Sequence, residues 1–430
     1  MHILKVYVLL FHQMEFVISH QQPGSDNTKN LWRQKMAEFK TIRQLCSLVI
    51  DCPHSSPTWT DNGKIVVRNN NIKNGRIDLS SPSFTDEEHY KQRIKRATPK
   101  PGDIIITREA PMGDVGMIPE GVECCLGQRM VLLRPDENLC DKYFLLYSLQ
   151  SRFVQHQISW SNGTGTTVSN LRIPHLEQIK IPIVPIFKQK QVASVLRAIE
   201  ERIVNNGQIN DNLEQQTQAL FELLFVENAD PSWRLGTIED LGAVVGGSTP
   251  SKAKPEYYTD NGIAWITPKD LSIDKSKFIS HGENDITELG LKNSSATIMP
   301  EGTVLFSSRA PIGYIAIAGG DVTTNQGFKS VVPKANIGTA YVYFFLKHNL
   351  PIIEGMASGS TFKEVSGSTM KRVPAMIPDS ETLTRFTDFC APLFAQQRVL
   401  EAQNRELAAL RDSLLPRLMS GEIDVSNIQL

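Results

Sequence analysis

The residue types that usually carry chemistry are present in this chain, but their spacing does not form a reactive site. Gly246-Gly247-Ser248-Thr249-Pro250-Ser251-Lys252 comes nearest to a phosphate loop, yet it lacks the closing Gly-Lys-Ser/Thr and carries a helix-hostile proline. There is no Asn/Asp-Pro-Pro-aromatic tetrad to position an amino group for methylation. Nor is there a carboxylate pair followed by Glu-X-Lys, as a metal-dependent nuclease would use to hold its ion. Gly-X-Ser-X-Gly is absent, and the 9 histidines, His54, His89, His156 and His175 among them, lack ligand spacing. The 6 cysteines (46, 52, 124, 125, 140 and 390) contain no CxxC pair or zinc-like set. Adjacent Cys124 and Cys125 read as small strand residues in a reducing cytosol. The expectation is a non-catalytic chain that binds no cofactor or metal itself.

The chemistry that remains is recognition. Arg108 and Arg309 each stand just before an Ala-Pro-X-Gly turn, where a rigid backbone could aim a guanidinium at a guanine edge or a phosphate. The plainer reading of each is a local salt bridge. Thr166, Thr167, Ser360 and Thr361 lie in Gly-rich loops able to approach phosphate, or else simply suit the turn. Arg68, Lys73 and Arg76 form a basic stripe around Asn69-Asn70-Asn71, whose amides suit adenine. Lys269, Lys329 and Lys363 are their counterparts later in the chain, each also readable as a solvated surface lysine. The densest basic run, Lys91 to Arg96, is either a backbone grip or a solvated helix end.

The elements that must position these residues come in duplicate. Thr60-Asp61-Asn62-Gly63 recurs as Thr259-Asp260-Asn261-Gly262, and Ala110-Pro111-Met112-Gly113 as Ala310-Pro311-Ile312-Gly313. Pro101 to Ile106 matches Pro300 to Phe306, and Thr164-Gly165-Thr166-Thr167 answers Ser358-Gly359-Ser360-Thr361. Lys180-Ile181-Pro182 answers Arg372-Val373-Pro374. The offset stays near 200 residues throughout, so the chain reads as one design written twice.

Each copy ends in a long helical stretch. Val192, Leu196, Ile199, Ile203, Asn206, Asn210, Leu213, Thr217, Leu220 and Leu224 alternate steps of four and three. That is a heptad seam, with two asparagines at positions that usually fix register. At 1.5 Å per residue its core is roughly 50 Å long. The second stretch, from about Leu383 to Met419, carries a looser stripe of Phe386, Leu393, Leu400, Leu407, Leu410 and Leu414. Each helix is expected to pair with the other.

The expected fold is α+β, with two similar target-recognition globules in tandem, two long antiparallel helices forming a coiled coil, and pseudo-two-fold symmetry. The boundaries read as an extension over 1–37, globules over 38–185 and 229–378, helices over 186–228 and 379–420, and a tail over 421–430. The first 35 residues are expected to be an extended start or a tail, since the apolar run Ile3 to Phe11 is too short to span a bilayer and no small-residue cleavage site follows. A cytoplasmic protein without membrane contact follows. The 45 Lys+Arg against 46 Asp+Glu argue against charge-driven coating of nucleic acid but not against a basic face.

Two unlike modules on a helical strut suit a duplex read in two half-sites about one turn, 34–36 Å, apart. The residues then resemble a known family. Lys292 to Ala296, Gly302 to Gly313 and Thr324 to Lys329 closely resemble type I restriction–modification specificity subunits. So do Gly246 to Ser251, Trp265 to Leu271 and Leu415 to Ile423; the resemblance covers about 38–424. It implies two recognition domains on double-stranded DNA, reading a bipartite asymmetric site. It also implies methyltransferase subunits, two of them, docked on the helices, with restriction/translocase subunits joining; S-adenosylmethionine, ATP and Mg would sit on those partners. Gln128 and Gln326 carry over as DNA-binding candidates, with Arg129 beside the former; Gly127-Gln128-Arg129 departs from Asn325-Gln326-Gly327 in the second half. Rival readings are a methylation-only complex, a stand-alone nuclease–methyltransferase, and a coiled-coil scaffold without DNA contact.

Overall fold

The computed structural model describes residues 38–73, 75–160, 170–359, 363–419 and 421–423. Two compact units result: Ile203–Glu406, and the chain on either side of it, up to Arg202 and from Leu407. Both are α+β.

In the first unit the apolar run Ile104–Thr107, buried throughout, is an inner strand of a sheet ordered Cys46–Asp51, Met130–Pro135, Ile104–Thr107, Val115–Met117. A second sheet runs Ser83–Thr85, Lys64–Val67, Cys124–Leu126, its last pair parallel. Between the sheets lies a core of Ile105, Ile118, Val67, Leu126 and Leu132, with Cys52 and Cys124 as small apolar fillers. Asp141 starts the helix Lys142–Gln150 by accepting from the Tyr143 and Phe144 N–H groups, which would otherwise lack partners in the first turn.

The second unit repeats this plan. Its main sheet runs Gly242–Gly246, Lys329–Pro333, Val304–Ser308, Ile312–Ala318, Phe278–Ile279. A smaller one runs Tyr258–Thr259, Asn284–Ile286, Ile263–Ile266, Thr323–Thr324. The strand registers align the copies residue by residue. Asp51 pairs with Val131 where Gly246 pairs with Lys329, and Ile104 faces Met117 where Val304 faces Ile317. Both Ala-Pro bonds of the repeated turn are cis.

The long helices span Ile186–Glu222, with a wider last turn Leu223–Glu227, and Ser380–Met419. Asp379 caps the second by accepting from Thr382 N at 2.8 Å. Of the ten seam positions in the first helix, Val192, Leu196, Ile199, Asn206, Leu213 and Thr217 are buried and the other four half-buried. Within the second unit the helices run antiparallel: Asn206 Nδ2 donates to Asn404 Oδ1 at 2.9 Å, and Asn210 Nδ2 to Glu401 Oε1 at 3.3 Å. On the second helix the expected stripe faces inward, with Phe386, Leu400 and Leu414 buried and Leu393, Leu407 and Leu410 half-buried, and within the second unit Cys390, Gln397 and Glu401 are buried beside it. Phe221 and Phe225 end the first helix inside an aromatic core with Tyr341, Phe344 and Phe386. Among the described residues no helix is long and apolar enough to cross a membrane.

Candidate nucleic-acid interface

In the first unit the sequence-selected residues gather around the cis-proline turn. Arg108 directly follows its strand, with its backbone bonded to Arg129 and Leu171. Its Nη1 donates to both Asp51 carboxylate oxygens at 2.9 Å, Nε to Leu171 O at 2.9 Å and Nη2 to Asn170 Oδ1 at 3.2 Å. With its side chain 13 % exposed, this guanidinium is spent inside the globule. Gln128 Nε2 donates to His54 O, and His54 pairs with Asp51 at 3.0 Å. Arg129 is exposed, its Nε 3.3 Å from Glu109. Glu109 in turn accepts from Asn170 at 2.5 Å.

The stripe at 68–76 divides. Asn71 caps its own turn by accepting from Arg68 N at 2.8 Å and donates to Asp78 O, while Asn69 donates to Glu109 O at 2.7 Å. Two of the three amides are therefore used internally, and Asn70 stays exposed. Lys73 pairs with Asp78 at 3.0 Å. Arg76 instead lines a cavity of about 300 Å³ with Tyr147, Arg197 and Glu200 against the long helix. In the basic run, Arg93 is buried and donates to the carbonyls of Leu126, Gly127 and Ser55. It is a staple of the fold.

In the second unit Arg309 and Lys329 meet around Glu364, and Gln326 stands beside Lys329. The Glu364 carboxylate is 3.7 Å from Arg309 and 3.6 Å from Lys329. Gln326 bonds the Thr249 hydroxyl, and Lys329 donates to Gln326 O at 3.3 Å. Lys363, exposed, precedes this glutamate in the chain, and Lys269 forms an exposed pair with Glu283 at 2.5 Å. Thr166, Thr167, Ser360 and Thr361 lie outside the described residues.

The ladders refine the pairing suggested by the repeat. Leu171 N donates to Arg108 O, and Val365 N to Ser308 O. Arg108 therefore matches Ser308, while Arg309 matches Glu109. The two glutamines do coincide, each bonded to the third residue beyond an equivalent strand position, His54 or Thr249. Asp51, Glu109 and Glu364 are the carboxylates that organise these clusters, and sequence reasoning passed over all three. One signal was available: Asn170-Leu171 and Glu364-Val365 each follow a Gly-rich loop with a polar–aliphatic step.

These clusters belong to a duplicated framework that also appears in known proteins. A family model, the type I restriction modification DNA specificity domain, matches residues 37–215 and again 232–408. The chain belongs to that family. Among relatives of this specificity family, the chain is 41 % identical over 184 residues to the type I restriction enzyme MjaIX specificity subunit of Methanocaldococcus jannaschii. That match covers 41 % of the chain and 42 % of the relative, so it spans less than half of either protein. The putative type I restriction enzyme MjaX specificity subunit of the same organism is 21 % identical over 388 residues, covering 84 % of the chain and 88 % of that protein. The crystal structure of a type I restriction–modification S subunit from M. genitalium has the same fold. It gives a TM-score of 0.56 at 18 % identity, over 89 % of the chain and 95 % of that structure.

Proposed function

We propose that this specificity-family chain is the DNA-recognition subunit of a type I restriction–modification complex and reads a bipartite, asymmetric site, one half per globule. One observation carries this reading: equivalent framework positions bear different side chains. Glu109 with Arg129 stands where the second globule has Arg309 with Gly327, and Asn170 stands where it has Glu364. Donors and acceptors facing base edges set the preference, so globules alike in backbone and unlike in these side chains suit unlike half-sites. In this reading the chain makes and breaks no bonds. The long helices serve as spacer and docking surface for two methyltransferase subunits, and restriction/translocase subunits join them in the cytoplasm. S-adenosylmethionine, ATP and Mg belong to those partners.

The test is to map methylated adenines in a host expressing the chain with its methyltransferase partner. A split motif with dissimilar halves is the expected result, and a short palindrome would overturn the reading.

A further inference from the structure

The first globule carries an exposed concavity of about 360 Å³ lined by Trp59, Asp61, Arg68, Ser83 and Phe84. Its exposed tryptophan and its arginine are not shared by the second globule. The repeated Thr-Asp-Asn-Gly turn places Trp59 opposite Tyr258, and the capped turns Arg68–Asn71 and Thr267–Asp270 place Arg68 opposite Thr267. Tyr258 packs against buried Trp265, ring centroids 5.7 Å apart, and its hydroxyl donates to Pro250 O at 2.6 Å. Trp59, by contrast, is 49 % exposed, and the Arg68 guanidinium lies over its ring, 5.1 Å from the centroid.

Arg68 differs from the other cations near the cis-proline turn. Arg108 is spent on Asp51, and Arg129 and Lys73 each sit on a carboxylate. Arg68 is held by the indole face and by neutral Ser83 Oγ, 3.3 Å from Nη1. Among the described residues no carboxylate forms an ion pair with it. The cation–π contact holds the guanidinium at the ring while its remaining N–H groups keep their donor capacity. Through Asn69, whose Nδ2 bonds Glu109 O, this loop is tied to the framework cluster. Asp61 is exposed on the same concavity. Its counterpart in the repeated turn is Asp260, so the acid is shared by both globules and what is particular to the first is the arginine and tryptophan beside it.

We propose that Arg68 and Asp61 read one G·C base pair from the major groove, with Trp59 as the positioning residue that orients the guanidinium. The proposal rests on the recognition function above. Guanine offers O6 and N7 as a pair of acceptors for the arginine fork, and cytosine offers its N4 amino group to a carboxylate. An A·T pair presents one acceptor and one donor on adenine and an acceptor on thymine, which does not match a fork beside a carboxylate.

The test uses the full chain with its methyltransferase partner and a DNA duplex library randomised across the site. The variants are Arg68→Ala, Arg68→Lys, Asp61→Ala, Asp61→Asn and Trp59→Ala. Each is expected to reduce the preference for G·C at one shared position of the first half-site, the arginine and Asp61→Ala changes by about ten-fold or more. Preference across the second half-site stays unchanged and serves as the folding control. Should an alanine variant lose both halves, the conservative Arg68→Lys and Asp61→Asn decide. Two results overturn the proposal: Arg68→Lys keeping the G·C preference while Arg68→Ala weakens all sequences equally with a shallower salt dependence, which marks a phosphate grip; or Arg68 and Asp61 variants affecting different positions. A wild-type complex that enriches no sequence at all would instead sink the recognition function itself.

Discussion

The Lys277 ammonium, on a side chain only 4 % exposed, lies 2.6 Å from Gln397 Oε1 inside the second unit. It also pairs with Glu214 of the first long helix and sits 3.9 Å from the Phe394 ring centroid. Glu214 takes a second ammonium from Lys347 at 2.6 Å, and Glu401 accepts the backbone N–H groups of Lys277 and Phe278. One lysine thus ties a strand entry of the second globule to both helices. Removing one partner from such a buried pair strands the other charge. Lys277→Met should therefore destabilise the unit by about 3 kcal/mol. Adding Glu214→Gln should restore part of the loss, as measured by chemical denaturation of the full chain.

Arg108 and Arg309 should behave oppositely. Arg108→Ala removes four hydrogen bonds around a largely buried carboxylate. About 2–3 kcal/mol of stability should go with them. Arg309 is 39 % exposed and Glu364 keeps Lys329 nearby, so Arg309→Ala should change stability by less than about 0.5 kcal/mol. Its effect should appear as weaker binding at the second half-site. Thermal unfolding alongside DNA titration of both variants separates the two cases, and equal destabilisation would contradict it.

Two glutamates of the first long helix, Glu200 buried and Glu214 half-buried, predict opposite pH behaviour. Burial pushes Glu200 above the ordinary 4.5, only partly offset by the Tyr147 hydroxyl donating to it at 3.1 Å. A raised carboxyl contributes stability below its unfolded pKa and loses it as pH rises through the folded value. At pH 7 the ionised Glu200 is a burden, and Glu200→Gln should raise stability there, with the gain shrinking toward pH 4. Burial also pushes Glu214 up, but Lys277 and Lys347 outweigh it and hold the group below 4.5. Its contribution is present above the unfolded pKa and lost as pH falls through the folded value, so Glu214→Gln should lower stability at pH 7. Denaturation midpoints from pH 4 to 8 check both signs.

All six cysteines are buried free thiols. Burial pushes Cys46, Cys124 and Cys390 up to about 12 and Cys125 to about 11. Because the thiolate is the nucleophile, iodoacetamide at pH 8 should add nothing to the native chain and modify every cysteine after denaturation. Intact-mass measurement reads the difference. A single fast-reacting cysteine would show that its segment opens.

The duplication, the α+β class, the two long helices and the seam from Val192 to Leu224 were legible in the sequence. Each rests on spacing along the chain, and the periods of helix and strand are local properties. Tertiary structure decided what spacing leaves open. Arg108 is consumed by Asp51, 57 residues away. Arg309 matches Glu109 rather than Arg108, because hydrogen-bond ladders, not residue type, set equivalence. The second helix turns Gln397 and Glu401 inward because Lys277, 120 residues from Gln397 in sequence, gives its ammonium to the Gln397 amide oxygen and its backbone N–H to Glu401. Pattern shows which residues share a face; only folding decides which partner that face meets, and so which charged groups remain available to a ligand.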